Sequence, residues 1–171
     1  MRCLGRRREA ARATVELLVA ADVGILDRTV DLVHALPSVA DCEDLEVLAN
    51  PGRPREDPAM VVEIDAIRAR LSAAEASDEG GRFAGGLEIA RAALVDAQAL
   101  AHPPIVAEAL LLTGRLEAHT GALQAAETTL LAAADAAAEG HDEPIELAVW
   151  TELVRVVGAV AAPQPRPGRQ T

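Results

Sequence analysis

The sequence predicts an all-α fold of stacked helical hairpins, with about seven or eight helices and no β-sheet. Half of the 171 residues are hydrophobic, but they are mainly Ala, Leu and Val, with one Phe, one Trp and no Tyr. Ala and Leu are strong helix formers. Apolar residues recur at helical spacing and seldom alternate with period two, and Gly and Pro separate segments of helix length.

The N-terminal region, residues 1–49, is predicted to be helical without taking part in a repeat. Apolar residues at helical spacing predict a first helix over 4–21, which ends before Gly24. A second helix over 25–36 is stopped by Pro37, because proline lacks the backbone N–H that a helix interior needs.

A short helix over 42–48 is predicted before a linker at 50–57, which is rich in Pro, Gly and charged residues. Asp57 and Pro58 then form a good helix start, since Asp is a capping residue and proline is tolerated in the first turn.

Five longer helices are predicted beyond the linker, in a region of repeats at 58–160. A Pro-rich tail at 161–171 is predicted to be disordered. The five helices cover residues 58–78, 84–101, 105–119, 123–139 and 145–160.

Shifting the sequence by 40 residues reveals an internal repeat. The Ala-on-Ala matches are weak in so Ala-rich a chain, and a generic helical bundle with coincidental matches remains the alternative. The stronger matches are Gly81 with Gly121, Phe83 with Leu123, Pro104-Ile105 with Pro144-Ile145, and Leu110 with Trp150.

These positions resemble the tetratricopeptide repeat. Small residues let the two helices of such a hairpin touch, and large ones fill the space between hairpins that must stack. The period of 40 exceeds the usual 34, which implies longer helices or loops. The matching order is Leu110, Gly114, Gly121, Leu123, Ala126, Leu130 and Ala133, and the next unit opens with Trp150 and Leu153.

The chain further resembles the tetratricopeptide region of large myxobacterial serine/threonine protein kinases. The resemblance spans nearly the whole chain and implies a signalling protein in which a kinase domain comes first. It is carried by the runs at 2–9, 15–18, 26–37, 108–116, 141–143 and 150–154.

No kinase activity is expected of the chain itself. It contains no Gly-rich phosphate loop followed by Lys, no His-Arg-Asp loop and no Asp-Phe-Gly, and it has no Lys at all. Without these groups ATP cannot be held for phosphoryl transfer. The change to Pro-rich sequence after Val160 also allows the interpretation that the chain is a truncated or frameshifted fragment.

The charge and the cysteine content indicate which classes of partner and which cellular compartment to expect. A formal net charge of −11 argues against a general nucleic-acid binder, which needs a basic face. No apolar run is long enough for a membrane span. Cys3 and Cys42 are too few for a zinc motif, and we expect both to be reduced, in a cytoplasmic protein.

Other candidate sites are weak, and no catalytic residue, cofactor or metal is expected. His141-Asp142-Glu143 is the nearest approach to a metal cluster, but it lies between two helices, where Asp is more simply a cap. Gly80-Gly81 and Gly85-Gly86 resemble a phosphate loop, but no strand precedes them and no Lys follows.

The resemblance to tetratricopeptide proteins implies a peptide-binding groove lined by the first helix of each hairpin. Carried over, its residues are Glu108, Leu111, Arg115, Thr151 and Arg155. Arg115 and Arg155 occupy one repeat position, and two guanidiniums could clamp a carboxylate or an acidic segment. The alternative is that both arginines are ordinary surface residues paired with Glu108, Glu117 or Glu152.

The predicted function is therefore a protein-interaction scaffold with a protein or peptide partner, an acidic one if both arginines contact it. Two alternatives stay open. The chain could be a self-association module, because unpaired hairpins seek a neighbour. It could also be a remnant without independent function.

Overall fold

The computed structural model describes residues 2–39, 42 and 57–161. Over these residues the protein is all-α, which confirms the predicted class, with eight helices and no strand. The helices are α1 (Arg2–Val19), α2 (Val23–Leu26), α3 (Thr29–His34), α4 (Pro58–Glu79), α5 (Phe83–Leu100), α6 (Pro103–His119), α7 (Leu123–Glu139) and α8 (Glu143–Ala161).

The start of α4 follows the predicted capping chemistry. The Asp57 carboxylate accepts a hydrogen bond of 3.0 Å from the backbone N–H of Ala59, and Pro58 opens α4. In α6, Pro103 and Pro104 both lie inside the first turn, where no intrahelical N–H partner is needed. This helix therefore begins two residues before the predicted start at 105.

The helix predicted over 25–36 is divided into α2 and α3. The Asp22 carboxylate caps α2 by accepting from the Ile25 N–H at 3.1 Å. The Thr29 hydroxyl then donates to the carbonyl of Leu26 at 2.9 Å. Side chains of this kind offer the backbone an alternative to continuous helix, which explains the break.

A left-handed residue occurs every 20 positions in the region of longer helices. Gly81 and Gly121 have φ of +76° and +85°, and Ala101 and His141 have φ of 51° and 49°. Each of the helices α5, α6 and α7 with its turn thus occupies 20 residues, which agrees with a hairpin repeat of 40. The left-handed residue is a glycine in the turns within hairpins, and it is a residue with a side chain in the turns between hairpins.

The longer helices pack as antiparallel neighbours along the chain, from α4 to α8. In addition α4 packs on α6, and α6 packs on α8. One apolar core joins α4, α5 and α6, and a second joins α6, α7 and α8. The helix α6 contributes to both cores and connects them.

Small residues allow close contact between the helices of each hairpin. A Cβ added to Gly114 would lie 2.7 Å from Leu130 Cγ, and one added to Gly86 would lie 3.0 Å from the Ala74 carbonyl oxygen. Three of the matches found by the 40-residue shift are fully buried at both positions. The fully buried pairs are Ala90 with Leu130, Ala93 with Ala133, and Ala97 with Ala137.

The N-terminal helices dock on α4, since α1 and α3 both contact it. A disulfide between Cys3 and Cys42, with Cα atoms 5.7 Å apart, fastens the start of α1 to the chain after α3. The expectation that both cysteines are reduced is therefore wrong. The pairing depends on the return of the chain along α1, which cysteine counts alone do not reveal.

Three sequence predictions fall mainly outside the described residues: the helix over 42–48, the linker at 50–57 and the tail at 161–171. Among the helices that are described, none combines the length and apolarity required to cross a lipid bilayer.

Candidate functional site

Six charged or titratable side chains meet on one face of the protein, where α4, α6 and α8 lie side by side. Hydrogen bonds and ion pairs connect them in a continuous series from one helix to the next. We call this set the ion-pair network; its members are Glu75, Asp78, Arg115, His119, Glu152 and Arg155.

Asp78 is the buried centre of the ion-pair network, with a side chain that is 2% exposed. Its Oδ1 atom accepts a hydrogen bond of 2.6 Å from Nδ1 of His119. Its Oδ2 atom lies 3.0 Å from Nε of Arg115. That second contact is an ion pair without hydrogen-bond alignment, since Nε makes no hydrogen bond. A buried carboxylate requires such partners, because water cannot reach it.

Arg115 is held by two carboxylates of α4. Its Nη2 donates to Glu75 Oε1 at 3.1 Å, and its side chain is only 22% exposed. Burial alone would lower the pKa of Arg115, but the charges of Glu75 and Asp78 outweigh burial and raise it above its ordinary value. The guanidinium is thus a fixed cation within the face.

Arg155 extends the ion-pair network to α8. It donates to Glu152 Oε2 through Nε at 3.0 Å and through Nη2 at 2.6 Å. The same Nη2 lies 3.3 Å from Nε2 of His119. A guanidinium only donates, so this contact is a hydrogen bond only when Nε2 of His119 carries no proton.

A second ion pair crosses the same face. Arg68 of α4 donates to both carboxylate oxygens of Glu108 on α6, with Nε to Oε2 at 3.0 Å. Both side chains are less than one fifth exposed. The two α4–α6 pairs, Arg68 with Glu108 and Glu75 with Arg115, each join residues 40 positions apart, so equivalent repeat positions lie opposite one another.

The structure places the predicted groove residues on this face, but they differ in their partners and in their exposure. Glu108 and Arg115 are engaged by α4, and Leu111 is half-buried against the core of α6, α7 and α8. Thr151 is exposed, and its hydroxyl donates to the carbonyl of Leu147 at 2.8 Å. Arg155 is the most exposed charged member, with 55% of its side chain accessible.

The expected alternative partners of the arginines are found in part. Arg155 does pair with Glu152 on its own helix. Glu117 is instead buried on the other side of α6, where Arg91 of α5 and Thr129 of α7 donate to it at 2.8 Å and 2.7 Å. Glu117 is thus separate from the ion-pair network.

Sequence reasoning missed Asp78 and His119, which connect the two halves of the ion-pair network. The 40-residue shift could have suggested the pairs at equivalent positions. It could not have suggested Asp78 with His119, which are separated by 41 residues. That pair depends on how α4 and α6 rotate about their axes.

The other sequence candidates do not come together as sites. Among the described residues, no three His, Cys, Asp or Glu side chains are placed to hold a metal ion. Gly85 and Gly86 lie inside α5, so they form no phosphate-binding loop.

Comparison with known proteins gives no match to a family model, a curated protein or a solved structure.

Proposed function

We propose that this protein is an interaction module of tetratricopeptide type, whose binding surface is the face formed by α4, α6 and α8. The observation that supports this best is the juxtaposition of equivalent positions from successive hairpins on one face. Glu75, Arg115 and Arg155 follow one another at intervals of 40 residues and lie in one connected series. A face of this kind can contact an extended partner at regular intervals.

The chemistry of the face favours a partner segment that carries a carboxylate. Arg115 is saturated by Glu75 and Asp78, so we assign it a positioning role. Arg155 is exposed, and its partner Glu152 lies on the same helix three residues earlier. An incoming carboxylate can accept charge-assisted hydrogen bonds from the Nη1 group of this guanidinium.

Catalysis is not part of this proposal. The side chains of the ion-pair network are engaged with one another, and none is a free nucleophile beside a base. The resemblance to the helical region of large myxobacterial kinases supports a role in recognition within a signalling protein, with phosphoryl transfer left to another domain.

The direct test is selection of a phage-displayed random peptide library on the full chain, followed by calorimetry of the enriched peptides. We expect peptides with acidic residues, and we expect Arg155→Glu to weaken them by about tenfold or more through charge reversal. Arg8→Glu is the matched control, because Arg8 is 81% exposed on α1 and pairs with Glu9, outside the ion-pair network.

Two outcomes would contradict the proposal. One is enrichment of peptides that bind Arg155→Glu as well as the natural chain. The other is equal weakening by Arg8→Glu, which would indicate general charge attraction instead of a site. Arg115→Ala is a poor probe, because it leaves the buried Asp78 without its cation.

A further inference from the structure

Helix α8 carries an apolar stripe that is bare in the described part of the chain. Leu147, Trp150, Val154 and Val157 follow one another at helical spacing and are between 45% and 74% exposed. We call these four residues the α8 stripe. Single exposed apolar residues are ordinary, but a continuous stripe over three turns of one helix marks an interaction surface.

The equivalent stripe is buried on the preceding hairpin. Shifted back by 40 residues, the four positions fall on α6 and are all covered. The covering helix is α7, since Leu130 fills the space above Gly114. The buried equivalents are Ala107, Leu110, Gly114 and Glu117. By continuity with this α6–α7 interface, the α8 stripe is the face on which a further antiparallel helix packs.

The shape of the stripe indicates which helix fits. Trp150, Val154 and Gly158 form one ridge at intervals of four residues, and the ridge falls from the largest side chain to none. A Cβ added to Gly158 would meet nothing within 4 Å, so no contact within the described residues requires this glycine. An exposed glycine inside a helix costs up to about 1 kcal/mol relative to alanine.

Two copies of this ridge complement each other. When two α8 helices cross in antiparallel orientation at Val154, Trp150 of each copy lies over Gly158 of the other. Ridges at intervals of four residues pack into one another in this way in many helix pairs. The absent side chain of Gly158 makes room for the indole, and Val154 lies on the twofold axis.

Charge also favours approach through this face. With a net charge of −11, two copies repel each other over most of their surface. Glu152 is the one acidic residue between Leu147 and Gly158, and it is 18% exposed and bound to Arg155. The stripe is therefore a part of the surface where two copies can meet without opposing carboxylates.

We propose that the α8 stripe binds the α8 stripe of a second copy, giving a twofold symmetric dimer. A contact made by one helix from each copy is small beside a standard interface of roughly 1,200–2,000 Å², so we expect a weak dimer.

Trp150 is the only tryptophan and reports directly on this contact. We expect its emission to shift to shorter wavelength as concentration rises, in step with a monomer–dimer equilibrium in sedimentation velocity. Gly158→Leu should weaken dimerisation by about tenfold or more while leaving the melting temperature unchanged or higher, because it fills only the space for the partner's indole. Gly85→Leu is the matched control, since Gly85 is equally open but lies on α5.

Disulfide cross-linking tests the proposed geometry of the dimer. Both natural cysteines are joined in one disulfide, so Val154→Cys adds the only free thiol. Under mild oxidation we expect a covalent dimer from Val154→Cys and little from Leu131→Cys, which is exposed on α7. A chain that stays monomeric at high concentration would overturn the proposal. The proposal would also be overturned if the chain formed oligomers larger than a dimer and Val154→Cys gave no cross-link. That result would indicate head-to-tail stacking.

Discussion

Asp78 Oδ1 and His119 Nδ1 lie 2.6 Å apart, and this contact fastens the end of α4 to the end of α6. The ring of His119 also lies against Phe83, with centroids 5.0 Å apart. A buried carboxylate, an imidazole and an aromatic ring therefore meet where two hairpins join. This junction sets the spacing of the proposed binding face.

Replacing Asp78 should destabilise the fold. Asp78→Asn removes the anion that faces Arg115 and His119, and we expect the free energy of unfolding to fall by about 2–3 kcal/mol. Denaturant unfolding followed by circular dichroism measures the change. Glu79→Gln, at the exposed neighbouring position, should change it by less than about 0.5 kcal/mol. Equal effects of the two substitutions would contradict the assigned role of Asp78.

Gly114 should not tolerate a side chain. In Gly114→Ala the new Cβ would lie 2.7 Å from Leu130 Cγ and 2.9 Å from its Cδ2. We expect a loss of about 1–3 kcal/mol, because the crowded core must shift. Gly85→Ala, at an open position of α5, should instead gain about 0.5–1 kcal/mol. Thermal unfolding distinguishes the two signs.

The turns between hairpins can be stabilised. Ala101 has φ of 51°, a left-handed conformation that an L-residue adopts at a cost. Ala101→Gly should raise the free energy of unfolding by about 0.5–1 kcal/mol, whereas Ala92→Gly, at an exposed position in the middle of α5, should lower it by a similar amount. A lower melting temperature for Ala101→Gly would count against the strained turn.

The contact between Asp22 and Arg82 should make stability depend on acidity. The hydrogen bond from Arg82, followed by that from the Ile25 N–H, lowers the pKa of Asp22 below its ordinary value. A lowered pKa stabilises the fold above the unfolded-state pKa, and this contribution is lost as the pH falls through the folded-state pKa. As the pH falls from about 5 to about 3, the free energy of unfolding of Asp22→Asn should therefore decrease less than that of the natural chain. Denaturant unfolding at each pH measures it, and equal decreases in the two proteins would exclude a contribution from Asp22.

Reduction of the disulfide should loosen the N-terminal helices first. The Cys3–Cys42 bond closes a loop with a sequence separation of 39, and its loss should lower the free energy of unfolding by about 2–4 kcal/mol. Hydrogen exchange after reduction, or in the Cys3→Ala/Cys42→Ala variant, should show faster exchange in α1 and α3. Helices α6 and α7 should change least, and uniform acceleration along the chain would contradict this order.

Much of the fold could be predicted from the sequence because its determinants are local. Apolar spacing gave the five long helices to within about two residues. Asp57 with Pro58 marked the start of α4, and the shift by 40 residues located the paired turns at Gly81 and Gly121. Glu75 and Arg115 also lie 40 residues apart, but this pair was not among the matches singled out in the sequence.

The tertiary structure alone decided what depends on the relative position of helices. The contact of Asp78 with His119 requires a particular rotation of α4 against α6, and the disulfide requires α2 and α3 to return along α1. Leu110 and Trp150 match in the repeat, yet Leu110 is 8% exposed and Trp150 is 49% exposed. The physical reason is that a residue's position in a repeat fixes which way it faces, while burial depends on whether another helix lies there.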